Sequence, residues 1–212
     1  MQTDRSDTAD LASVICSRIC HDLVSPVGAI VNGVDLIREI GAGGLDNEFS
    51  MISQSADRAS GLLQFYRIAF GAIGTDAEAL ARSTLQDRAE GMIASQRVMM
   101  HWHGMDGPPM ARIEARLLCQ LLLCARSVTG MRGTVTVELP HSSSFPMTVI
   151  VEGDGAADTV DRLAILKGEV DPGALEPRLV EFALARASVN EMGINLIVDH
   201  QLGRVVMQVL RP

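Results

Sequence analysis

His21 is followed at once by Asp22 and, five residues on, by Pro26. The surrounding apolar residues, Val14, Leu23, Val27, Ile30, Val34 and Ile37, recur at helical spacing. An imidazole titrates near about 6.5, so at cell pH it offers a neutral, nucleophilic nitrogen. On the outside of a helix such a ring suits the uptake of a phosphoryl group, because an N–P bond is labile enough to pass that group onward. Asp22 lies about 100° round the helix from His21. It could orient the ring, raise its basicity or accept its proton. The plainer reading is a solvated acid paired with Arg18 at i,i+4.

Arg18, His21, Ser25, Gly28, Asn32 and Asp35 are three or four residues apart and form a polar or small stripe beside the apolar one. His21 should therefore face solvent. Ser25 and Gly28 are small enough for another protein to approach closely. Pro26 lacks an N–H and crowds the carbonyl of Asp22, so a kink is expected just below the histidine. A lone histidine is more often structural or merely solvated. The adjacent acid, the small residues and the proline together favour function.

The elements that must position this stripe follow from the rest of the chain. Apolar residues make up 47% of the 212 residues and aromatics 3%, so the core must rest on Leu, Ile, Val, Ala and Met. Net charge is −8 with no basic cluster, which argues against a nucleic-acid partner. The polar, acidic segment 1–10 has no signal-peptide core. No run of about 20 apolar residues is evident, so a soluble, cytoplasmic protein without a membrane partner is expected. Cys16, Cys20, Cys119 and Cys124 fall in apolar helical patterns, which predicts reduced and mostly buried thiols. Cys16, Cys20 and His21 also suggest a metal or redox site, but no second cluster supplies the other ligands at zinc-like spacing.

A first helix is predicted from near Asp7–Asp10 to the stop at Gly41-Ala42-Gly43-Gly44. A second, from about Asp46 to Ala72, carries the stripe Phe49, Ile52, Ala56, Ala59, Leu63, Tyr66 and Phe70, a seven-residue repeat. The two should form an antiparallel hairpin with apolar surface left over. Pairing of two copies as a four-helix bundle, a homodimer through residues 8–73, would cover it; packing on the C-terminal domain is the other way. Gly71–Asp76 reads as a linker, which divides the chain into domains 1–74 and 75–212.

Beyond it the pattern mixes helices (77–95, 110–129, 158–167, 175–192) with strands (97–103, 133–139, 147–152, 194–199, 204–210). The fold class is α+β: a helical hairpin forming a dimeric four-helix bundle, then an α/β sandwich with helices on one face of a mixed sheet. His101, His103, His141 and His200 read as incidental, since no acid or cysteine cluster accompanies them in sequence.

The segment Cys20–Gly33, CHDLVSPVGAIVNG, resembles the phospho-acceptor helix of the ChpT-type histidine phosphotransferases of bacterial phosphorelays. The hairpin resembles the dimerisation and phosphotransfer domain of histidine kinases. The C-terminal half resembles a degenerate kinase ATP-binding domain of the Bergerat type. The departures from a working kinase decide what the resemblance implies. Where kinases carry asparagines, one of them for magnesium, the stretch Leu117–Ser127 has Gln120 and Cys124, and a thiol suits a hard cation poorly. Glu152-Gly153-Asp154-Gly155 only approximates the adenine-binding pattern. The stretch Glu176–Leu184 lacks a Gly-x-Gly lid and has two acids where phosphates would need backbone N–H groups.

The resemblance implies a histidine phosphotransferase without ATP-dependent kinase activity. His21 would accept a phosphoryl group from the aspartyl phosphate of a receiver domain on a hybrid kinase and pass it to a response regulator's receiver. Asp22 would assist as orienting group or base. Arg18, Ser25, Gly28 and Asn32 would line the docking face. No cofactor is expected on this chain, with Mg²⁺ on the receiver. Two rivals are a divergent ATP-dependent kinase and a non-catalytic dimeric adaptor that binds receivers.

Overall fold

The computed structural model describes residues 3–40, 46–71, 78–95, 97–130, 132–155, 159–170 and 179–211. Two long helices come first, α1 (Thr3–Ile40) and α2 (Asp46–Ala69). The expected glycine stop and most of the expected linker, with the 74/75 boundary, lie outside the described residues. α1 starts at Thr3, earlier than the cap candidates suggested. It runs through the buried Pro26. At Gly33 a Cβ would lie 2.6 Å from Ile52 Cγ1, so the missing side chain is what lets α2 come this close.

The seven-residue stripe of α2 is not one buried seam. Tyr66 is buried and Ile52 half-buried, but Phe49 is 57% exposed, Leu63 52% exposed and Ala56 exposed. On α1, Val24, Val27 and Val31 are likewise exposed in a single copy. The end of α2 instead enters the main core through Leu62, Phe65, Ile68 and Ala69. Gln120 Nε2 donates to the Ala69 carbonyl at 2.9 Å, joining it to the C-terminal half. The hairpin thus uses the C-terminal domain as one cover and still presents a bare apolar stripe.

An 18-residue window within Leu11–Glu39 has mean hydropathy 1.5 and is long and apolar enough to cross a bilayer. This corrects the expectation of no such run. It is weak evidence for a membrane, since one helix of a soluble bundle passes the same test, and here Arg18 and Asp22 on that helix bond to other helices.

The chain continues as α3 (Arg82–Ile93), β1 (Val98–His103), α4 (Arg112–Thr129), β2 (Gly133–Glu138), β3 (Met147–Gly153), α5 (Val160–Lys167), α6 (Val180–Met192), β4 (Asn195–Gln201) and β5 (Arg204–Leu210). This is the predicted order. α3 and α4 start later than predicted because Leu80 and Met110 exchange two backbone hydrogen bonds of 2.8 Å, which hold both in a bridge ahead of the helices.

The sheet order is β1-β2-β3-β5-β4; β1 and β2 are parallel and the other pairs antiparallel. Register aligns Trp102, Val137, Val149, Met207 and Val198 in one row. Val137, Val149 and Met207 of that row are fully buried with α4 in the core. Alternation then puts Met99, His101 and His103, and Ile197 and Asp199, on the open face. Buried Arg82 donates to the carbonyls of Gly104, Pro108, Pro140 and Ser143, clasping the loops at one end of the sheet.

Two further expectations need correction. Cys119 and Cys124 are buried, but Cys16 and Cys20 are exposed, because they lie on a flank of α1 that no described residue covers in one copy. His141 has an acid after all: its Nδ1 lies 2.5 Å from Asp106 Oδ1, a residue brought near by the fold rather than by sequence.

Candidate phosphotransfer site

α1 presents His21 to solvent, its side chain 86% exposed. Asp22 is the opposite case. Its side chain is only 10% exposed, so it is no solvated surface acid. Asp22 Oδ1 lies 3.2 Å from His21 Nδ1. Asp22 Oδ2 accepts from the Tyr66 hydroxyl on α2 and from Arg126 Nη1 on α4, the latter at 3.1 Å, with Arg18 Nε 3.6 Å away. Burial pushes the Asp22 carboxyl up, but the hydrogen bond from Tyr66, the Arg126 charge, the His21 bond and the Arg18 charge outweigh it, leaving the carboxyl below its usual range. Burial and the bond to Asp22 push the Tyr66 hydroxyl up, so it stays a donor.

An ionised carboxylate can only accept hydrogen bonds. The proton between Asp22 and His21 therefore sits on Nδ1, and in the neutral ring Nε2 carries the lone pair. Among the described residues nothing else bonds the ring. The arrangement can hold an imidazole with its nucleophilic nitrogen toward an incoming partner.

Of the expected docking residues, Ser25 and Asn32 are exposed, and a Cβ on Gly28 would meet nothing within 4 Å. Arg18 is turned inward. Its side chain is 24% exposed and lies between Asp22 and Glu181 Oε1, the latter 3.8 Å from Nη1. A groove of about 400 Å³ runs between α1 and α2 beside the histidine, lined by Ser25, Pro26, Ala29, Met51, Gln54 and Arg58. A cleft of about 320 Å³ next to it brings Arg58, Arg97 and Arg126 to one place.

The residues read from the sequence as departures from a nucleotide site are engaged within the protein. Gln120 is buried and bonded to α2, and Cys124 is buried, its thiol pushed up by burial and by nearby Glu181. Gly155 packs on Gly130, where a Cβ at Gly155 would lie 2.5 Å from Gly130 Cα. Glu181 is 2% exposed, in the first turn of α6. Burial raises its carboxyl; Arg18, a backbone donor, Ser127 and Arg162 oppose this without cancelling it. Glu176 lies outside the described residues. Among the described residues no three His, Cys, Asp or Glu side chains converge as a metal site.

Residues 82–202, more than half of the chain, match the model of the histidine phosphotransferase C-terminal domain. The chain belongs to the histidine phosphotransferase family. The resemblance read from Cys20–Gly33 is borne out. A 63-residue stretch is 56% identical to the protein phosphotransferase ChpT of Brucella abortus (strain 2308), covering 30% of this chain and 29% of that protein. The alignment thus spans under a third of that relative. The fold also matches the 1.7 Å structure of a bacterial phosphotransferase, with TM-score 0.73 and 26% identity over 95% of this chain and 96% of that one.

The sequence reading singled out His21 and Asp22 and missed Tyr66, Arg126 and Glu181. Tyr66 sat in an apolar stripe, Arg126 carried no local signal, and Glu181 was read only as one of the two acids in the stretch Glu176–Leu184.

Proposed function

We propose that this protein is a phosphorelay intermediate. His21 takes a phosphoryl group from the aspartyl phosphate of a receiver domain and returns it to the aspartate of another. The observation that carries the reading is an imidazole 86% exposed beside an acid 10% exposed. The ring is presented outward while its inner nitrogen is held. Nucleophilic attack by Nε2 forms the N–P bond as the receiver's P–O bond breaks, and the receiver's carboxylate leaves with the electron pair. A carboxylate leaving group needs no proton, so the step needs orientation and charge balance more than a base. Mg²⁺ and a lysine on the receiver would neutralise the phosphoryl oxygens. The groove beside Ser25 and Pro26 would take a receiver element, and the arginine-lined cleft suits the acidic pocket that holds the receiver's metal.

The bare stripe of Val24, Val27 and Val31 with Phe49 and Leu63 supports a homodimer through a four-helix bundle. The packing of Gln120, Cys124 and Glu181 supports a domain that no longer binds ATP, and a cytoplasmic location follows from receiver partners. The test is incubation with labelled MgATP, which should leave His21 unlabelled; label from MgATP alone would restore the kinase reading.

A further inference from the structure

The ring of His21 is held through Asp22, and Asp22 is held by two residues that lie far from it in sequence. Tyr66, the chain's one tyrosine, reaches it from α2, and Arg126 reaches it from α4 of the C-terminal domain. Both donate to Oδ2, which leaves Oδ1 for His21 Nδ1. Each is itself braced. Tyr66 stacks on Phe70 with ring centroids 5.4 Å apart and meets Phe65 edge-on at 6.1 Å. Arg126 Nη1 also lies 3.7 Å from Met92 Sδ on α3.

We propose that Tyr66 and Arg126 are positioning residues for phosphotransfer, and that the C-terminal domain serves the reaction by completing this site through Arg126. The inference rests on His21 being the phospho-acceptor. Tyr66 and Arg126 fix the direction of the Asp22 carboxylate, and the carboxylate fixes the proton on Nδ1. When Nε2 takes the phosphoryl group, no proton moves. Nδ1 keeps its hydrogen, the ring becomes cationic, and the Asp22 anion beside it balances the charge. Without its two donors the carboxylate can turn away, and the proton is then free to sit on Nε2 and block the lone pair. A solvated aspartate needs no such tethers. The investment of one donor from each half of the protein in a single oxygen is what points to position rather than simple stability.

The test uses the full chain and its Tyr66→Phe, Arg126→Gln and Arg126→Lys variants. Two-bond proton–nitrogen NMR of the histidine rings near about pH 8, where imidazole is neutral, reads the His21 tautomer. Phosphoramidate, a small phosphoryl donor that needs no docking surface, reads the reactivity of Nε2 as ammonia leaves. Tyr66→Phe and Arg126→Gln should move His21 toward the Nε2–H form and slow labelling by about tenfold, as loss of an outer partner of a histidine commonly does. Arg126→Lys should recover part of both. An unchanged tautomer and unchanged labelling in folded Tyr66→Phe and Arg126→Gln proteins would overturn the inference. If receiver phosphate never labels wild-type His21 while the tautomer still responds, the relay reading fails and the positioning stands.

Discussion

Arg126 Nη1 and Asp22 Oδ2 meet at 3.1 Å although 104 residues separate them in the chain. The contact joins the helix that carries His21 to the C-terminal domain. It gives that domain a reason to stay packed against the hairpin.

Asp22 should stabilise the fold as an anion. Its carboxyl lies below the ordinary value of 3.8, so its contribution is complete above that value and is lost as pH falls through the lower, folded value. Asp22→Asn should therefore unfold at lower denaturant than wild type at pH 7. A deficit of about 1.5–3 kcal/mol is the scale of a hydrogen bond to a charged group. Denaturant titrations at descending pH should show the deficit shrinking below 3.8. A deficit independent of pH would mean that the charge is not what matters.

Glu181 should act in the opposite sense. Its carboxyl is raised above 4.5, so its contribution is complete below that value and is lost as pH rises through the folded value. At neutral pH the buried anion is a burden that Arg18, at 3.8 Å, does not fully offset. Glu181→Gln should raise stability at pH 7 by on the order of 1 kcal/mol and match wild type near pH 4. Melting temperatures across that range check the sign directly.

The two glycines of α1 should separate docking from packing. Gly28 faces open space, so Gly28→Leu should fold normally and react with phosphoramidate, yet lose transfer from a receiver because a large side chain stands on the expected docking face. Gly33 meets Ile52, where a Cβ would be 2.6 Å from Cγ1. Gly33→Ala should cost about 1–3 kcal/mol through overpacking of the hairpin. Circular dichroism melts and a transfer assay on the pair distinguish the two roles.

The exposed stripe should be an interface between copies. Leu63 is 52% and Val31 53% exposed in one copy, so a charge there costs a monomer little. Leu63→Glu with Val31→Glu should convert a two-chain species, by light scattering, into a single-chain one that remains helical.

How much of this was legible in the sequence divides along local and non-local lines. The His21–Asp22 pair, the exposure of His21, the two long helices and the order of elements along the chain follow from periodicity and turn residues, which act over a few positions. Tyr66 was read as an apolar member of the α2 stripe because its ring does pack; only the fold shows that its hydroxyl is aimed at Asp22. Asp22 was left between three roles because its burial depends on α2 and α4. The sharing of α2 between hairpin and core, visible at Leu62 and Phe65, depends on where the C-terminal domain docks, and no local spacing encodes that.

The most direct test is phosphotransfer without ATP. The wild-type chain and its His21→Ala variant would each be mixed with a receiver domain carrying labelled aspartyl phosphate. The expected result is acid-labile, base-stable label on wild type alone, and its loss on adding a second, unphosphorylated receiver. Equal label on His21→Ala, or none on wild type against a panel of receivers from the same cell, would contradict the assignment of His21 as the relay nucleophile.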